Sequence, residues 1–79
     1  MKKDLLKRIT VNNDICHGKP TIRNMRYPVT TILELMSAGM TELEILSDYP
    51  SLVKEDLQAC LLFASKLSDV KTISKVLLR

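Results

Sequence analysis

Apolar and polar positions along the chain change their period at Pro28. Before it, residues 8–12, "RITVN", alternate and are rich in β-branched side chains, which predicts a short strand. Residues 13–20 are polar and turn-rich and read as a loop. "TIRNMRYPV" then reads as two short extended arms around a turn at Asn24-Met25, because Asn tolerates left-handed backbone. Pro28 suits the end of an arm, where no ladder N–H is needed.

After Pro28 the period becomes helical. Thr31-x-x-Glu34 has the spacing of a capping box, Ile32, Leu35 and Met36 share one face, and Gly39 supplies a left-handed stop. Thr41-x-x-Glu44 repeats the box two residues later and opens a second helix, which turns Ile45, Leu46 and Tyr49 inward and ends before Pro50. A third, longer helix runs from about Lys54 to Lys66, with Leu57, Cys60, Leu61 and Ala64 on its apolar face. Residues 69–78 place Val70, Ile73 and Leu77 on one side, although their Ser, Thr and Asp content weakens any helix there.

The pattern therefore predicts a mainly α protein with a helix-turn-helix layout. We divide its single domain, 1–79, into a β unit (8–29), a trihelical core (30–67) and an amphipathic C-terminal helix or tail (68–79).

Length adds a constraint. A chain of 79 residues buries only about 60–65% of its unfolded surface, so its core is marginal, and added stability is expected from self-association, as a homodimer, or from holding a partner. No apolar run is long enough to span a membrane, and the basic start lacks the apolar stretch of an export signal. Two cysteines, Cys16 and Cys60, fit free thiols in a reducing cytoplasm better than a disulfide framework.

The net charge of +3 conceals a strong asymmetry. In residues 1–28, Lys2, Lys3, Lys7, Arg8, Lys19, Arg23 and Arg26 stand against Asp4 and Asp14, a net +5. In 29–56, Lys54 alone opposes Glu34, Glu42, Glu44, Asp48, Glu55 and Asp56, a net −5. Residues 57–79 return to +3, with Lys66, Lys71, Lys75 and Arg79 against Asp69.

Little of this supports catalysis. "GKP" at 18–20 lacks the upstream glycine and the following Ser or Thr of a phosphate-binding loop. Cys16 and His17 are too few for zinc, and neighbours in a strand or turn point apart, so we expect neither a metal site nor a Cys–His nucleophile. The acidic pairs Glu42/Glu44 and Glu55/Asp56 sit where they complement helix dipoles. We expect no enzyme and no cofactor.

The positive signal is basic. Lys19, Arg23 and Arg26 lie in or beside the turn, suited to phosphates or guanine edges. In a helix-turn-helix protein the start of the third helix enters the major groove, which here would present Lys54 and Gln58, but also Glu55 and Asp56. Those carboxylates oppose DNA, so a protein-interaction or dimerisation module without DNA binding is the alternative.

The run "GKPTIRNMRYPV" followed by "AGMTELEILSDYPSL" resembles the family called domain of unknown function 433, over roughly residues 8–64. The resemblance implies a homeodomain-like trihelical fold and a VapB-type antitoxin that neutralises a PIN-like ribonuclease toxin and binds its own promoter DNA. On that reading Val70, Ile73 and Leu77 grip the toxin, and Lys75 or Arg79 neutralises its metal-binding carboxylates. The chain departs from the family pattern at several positions. Asn24 and Met25 replace Gly and Thr, and Tyr27 replaces Ile, adding a hydroxyl. Leu43 replaces Glu, an extra apolar side chain expected at the surface. Val53 stands where a capping Thr or Ser is usual, so the third helix is expected to fray or to be capped from Ser51, at about 1 kcal/mol.

Overall fold

Thr10 and Thr21 face each other across the first strand pair. In a computed structural model that describes residues 3–68, β1 (Ile9–Thr10) runs antiparallel to β2 (Thr21–Ile22) in the register Ile9↔Ile22 and Thr10↔Thr21. The threonine hydroxyls lie 3.3 Å apart, and Thr10 Oγ1 also accepts the Asn24 N–H at 2.8 Å. Ahead of β1, Lys3–Arg8 forms a 3-10 helix that packs on the third helix, an element that its sequence pattern had not announced.

The turn after β2 falls one residue earlier than expected. Arg23 and Asn24 both have positive φ, 47° and 57°, and the Met25 N–H donates to the Ile22 carbonyl at 2.8 Å. Two consecutive left-handed central residues are the type I′ arrangement, whose twist matches that of the flanking strands. The chain then returns along the other side of β2, where Ile22 N–H donates to Tyr27 O at 3.2 Å and Thr21 bridges Pro28.

Helix α1 (Val29–Ser37) starts directly after Pro28, whose carbonyl accepts from Thr31 and Ile32. Thr31 therefore lies inside the helix and the expected Thr31–Glu34 capping box is absent. The end of α1 is as expected. Gly39, at φ +97°, donates to Met36 O, and Met40 N–H donates to Leu35 O, the paired bonds of a Schellman stop.

Helix α2 (Glu42–Asp48) carries the second box intact: Glu44 N–H donates to Thr41 Oγ1 at 3.2 Å, and Thr41 N–H to Glu44 Oε1 at 2.8 Å. The Thr41 backbone and side-chain bonds hold the Glu44 carboxyl below its ordinary pKa. Tyr49 ends α2 and meets Tyr27 edge-on, with centroids 5.3 Å apart.

Helix α3 (Lys54–Leu67) closes the core, formed by Ile22, Val29, Ile32, Ile45, Leu52, Leu57 and Cys60. One assignment on this helix is corrected. Leu61, expected inside, is 54% exposed, while Ala59 is fully buried. The 3-10 segment ending at Arg8 covers the Asp56–Ala59 side of α3, so the buried stripe is rotated from the one that periodicity alone selects. Leu43 is 81% exposed, as its departure from the family pattern implied.

Among the described residues no helix is long and apolar enough to cross a membrane.

Candidate functional site

Asp56 occupies the third position of α3 and is the one fully buried charged side chain among the described residues. An isolated carboxylate in such a place is strongly disfavoured, so its partners decide what the site is. Arg23 supplies a side-by-side pair, Nε to Oδ1 at 3.0 Å and Nη2 to Oδ2 at 2.8 Å. Arg8 Nη1 donates to Oδ1 at 3.1 Å, and the Val53 N–H donates to Oδ2 at 2.9 Å. The second hydrogen of Arg23 Nη2 goes to the Ser51 carbonyl at 2.9 Å.

Four donors thus converge on one carboxylate. Burial pushes the Asp56 pKa up, but the bonds from Arg23, Val53 and Arg8, with the Arg23 charge, outweigh it and hold the group below its ordinary value. Arg23 is raised, chiefly by its bond to Asp56. A carboxylate so saturated has no lone pair free to act as a base. It ties together the end of the 3-10 segment, the β-turn and the start of α3.

The same contacts correct the expectation for the third helix. Val53 has no capping hydroxyl, yet the start does not fray, because Asp56 reaches back to the Val53 N–H. This is half of a capping box. Ser51 contributes its carbonyl to Arg23 rather than a hydroxyl to the helix.

Of the residues expected to contact DNA, Arg23 is engaged in this clamp and brings the turn against the start of α3. Lys54 and Gln58, one helical turn apart, are exposed there beside Glu55. Lys19 and Arg26 are also exposed, and no hydrogen bond or ion pair joins their side chains to the cluster among the described residues. Val70, Ile73, Lys75, Leu77 and Arg79 lie outside the described residues.

Sequence reasoning missed the roles of Arg8 and Asp56. The signal for Asp56 was its spacing, three residues after the non-helical Val53. For Arg8, 48 positions away, local sequence held none.

Cys60, one turn beyond Asp56, is pushed up to about 12 by burial and, second, by the Asp56 charge, which makes its thiol inert. Among the described residues no three His, Cys, Asp or Glu side chains gather as a metal-holding group.

Similarity to known proteins agrees with this fold. A crystal structure of a DUF433 member protein from Anabaena variabilis superposes with a TM-score of 0.71, covering 100% of this chain and 87% of that one at 24% identity, a likeness of fold. No curated protein matches the chain. The family model described as protein of unknown function (DUF433) matches residues 9–64, which span β1, the Arg23 turn, Asp56 and most of α3. The chain belongs to the DUF433 family.

Proposed function

We propose that this DUF433 protein is an antitoxin-like protein that neutralises a PIN-like ribonuclease toxin and binds its own promoter DNA as a homodimer in the cytoplasm. The observation that carries the DNA arm is the inward turn of Asp56. The sequence set two carboxylates against DNA at the start of α3, but one of them is fully buried and outbalanced by Arg8 and Arg23. Glu55 alone remains exposed beside Lys54 and Gln58. On this reading Gln58 reads base edges, an amide being suited to adenine, while Lys54, Lys19 and Arg26 contact phosphates. The toxin arm is supported by the resemblance of the 18–29 and 38–52 runs and by the row of Val70, Ile73 and Leu77 with Lys75 and Arg79.

The experiment is a tagged pull-down from the native cell at moderate salt, with protein and DNA identified. A stoichiometric small nuclease together with upstream DNA is the expected result, and the absence of any nuclease removes the toxin arm.

One observation favours a protein-interaction module without DNA binding. Glu34, Glu42, Glu44, Asp48 and Glu55 are all exposed, so the three helices present carboxylates that would be repelled by phosphates. A salt titration of binding to the upstream DNA separates the two readings.

A further inference from the structure

Toward the C-terminal end of α3, along the helix from the charge cluster at its start, lies an open apolar groove of about 400 Å³. Val29 and Leu33 of α1 form one wall, Phe63 and Leu67 of α3 the other, and Pro20 and Ser68 the rim. Leu67 is 67% exposed there. We propose that the groove is the docking site of the chain's own residues 69–79.

Three observations converge on that occupant. First, the chain leaves α3 at the groove. Ser68 lies on its rim, has extended backbone (φ −90°, ψ 98°), and turns both its N–H and its Oγ back to Ala64 O at 3.1 Å, which ends the helix. Second, the following residues, "DVKTISKVLLR", carry Val70, Ile73 and Leu77 at spacings that put them on one side of a helix. Eleven residues reach at most about 36–40 Å when extended, and Ser68, the residue before them, already lies at the groove, so length sets no limit. Third, an exposed carboxylate stands near the groove on α1. Thr30 also lines the groove, and Glu34, one helical turn along α1 and so on the same face, is an exposed carboxylate. Lys71, Lys75 and Arg79 are the cations of the segment. A tethered segment meets its site at a high effective concentration, so docking within one chain precedes any encounter with a second.

The docking itself is independent of the antitoxin reading. Its consequence rests on that reading: the side chains assigned to the toxin are those the groove covers, so toxin and groove compete for one segment.

The test is methyl and aromatic NMR on the full chain. The expected result is cross-peaks from the Ile73 and Leu77 methyls to the Phe63 ring, unchanged on dilution. Ile73→Asp with Leu77→Asp then abolishes them and shifts the Val29 and Leu33 methyls, while Ile9 and Leu52 stay in place. The wild-type measurement decides the question even where the variant fails to fold. Absence of these cross-peaks overturns the proposal. So does their appearance only between differently labelled copies, which makes a second chain the occupant. Neither result bears on the nuclease pull-down, so the two readings fail separately.

Discussion

Arg23 and Asp56 meet fork to fork, Nε to Oδ1 at 3.0 Å and Nη2 to Oδ2 at 2.8 Å, across 33 positions of sequence. The Asp56 side chain is fully enclosed and Arg23 is 39% exposed, so only one member of the pair keeps contact with water. Exposed ion pairs contribute little, but an enclosed carboxylate that loses its partner is left desolvated.

Arg23→Ala is therefore expected to destabilise the fold by about 2–3 kcal/mol, less than a fully buried pair because Arg8 remains and Arg23 is partly hydrated. Arg23→Lys recovers under half of that, since an ammonium cannot form the paired bonds. Arg8→Ala, which removes a single bond, costs about 1 kcal/mol. Urea unfolding of the three variants measures the order, and an Arg23→Ala loss below that of Arg8→Ala contradicts the geometry.

The depressed Asp56 pKa fixes a sign for acid stability. Its contribution is fully present above the unfolded-state value of about 3.9 and is lost as pH falls through the lower folded value. Asp56→Asn keeps an acceptor for the Val53 N–H but has no proton to gain. Its unfolding free energy, lower at neutral pH, should vary less than the wild type's between about pH 5 and pH 2. Parallel curves from denaturant titrations across that range would assign the acid transition to other groups.

The two thiols should separate cleanly. Cys60 is fully buried with its pKa pushed up to about 12, whereas Cys16 is half-buried in a surface turn. A thiol reagent at about pH 8 is expected to label Cys16 in the native protein and Cys60 only after denaturant is added. Mass spectrometry of the labelled peptides reads the result.

For DNA, Lys19→Ala with Arg26→Ala is the informative pair, because among the described residues neither side chain is bonded to the clamp that holds the fold together. Binding to the upstream fragment should weaken for all sequences alike. The slope of log affinity against log salt should fall by about 1.8, near 0.9 for each phosphate no longer neutralised. Gln58→Ala should instead relax sequence preference at one base pair. Anisotropy titrations at several salt concentrations test both. A wild-type protein that fails to bind the fragment even at low salt would support the interaction-module reading.

Local chemistry was legible where it is self-contained. The Thr41–Glu44 box and the Gly39 stop need nothing beyond their own few residues, and both form as the spacing predicts. Thr31–Glu34 has the same spacing and fails, because Pro28 launches α1 two residues before Thr31 can cap it. The turn shifted to Arg23-Asn24 for a non-local reason: the left-handed backbone of Arg23 delivers its guanidinium to Asp56. The same pairing explains why Asp56, which its local sequence turns toward solvent, is enclosed. The exposure of Leu61 likewise follows from a 3-10 segment that approaches α3 from far along the chain.

The clamp also imposes an order on synthesis. Both arginines, at positions 8 and 23, leave the ribosome well before residue 56, so the hairpin emerges with its cations unanswered and its apolar side uncovered. A chain interrupted ahead of α3 therefore lacks the carboxylate on which Arg8 and Arg23 converge.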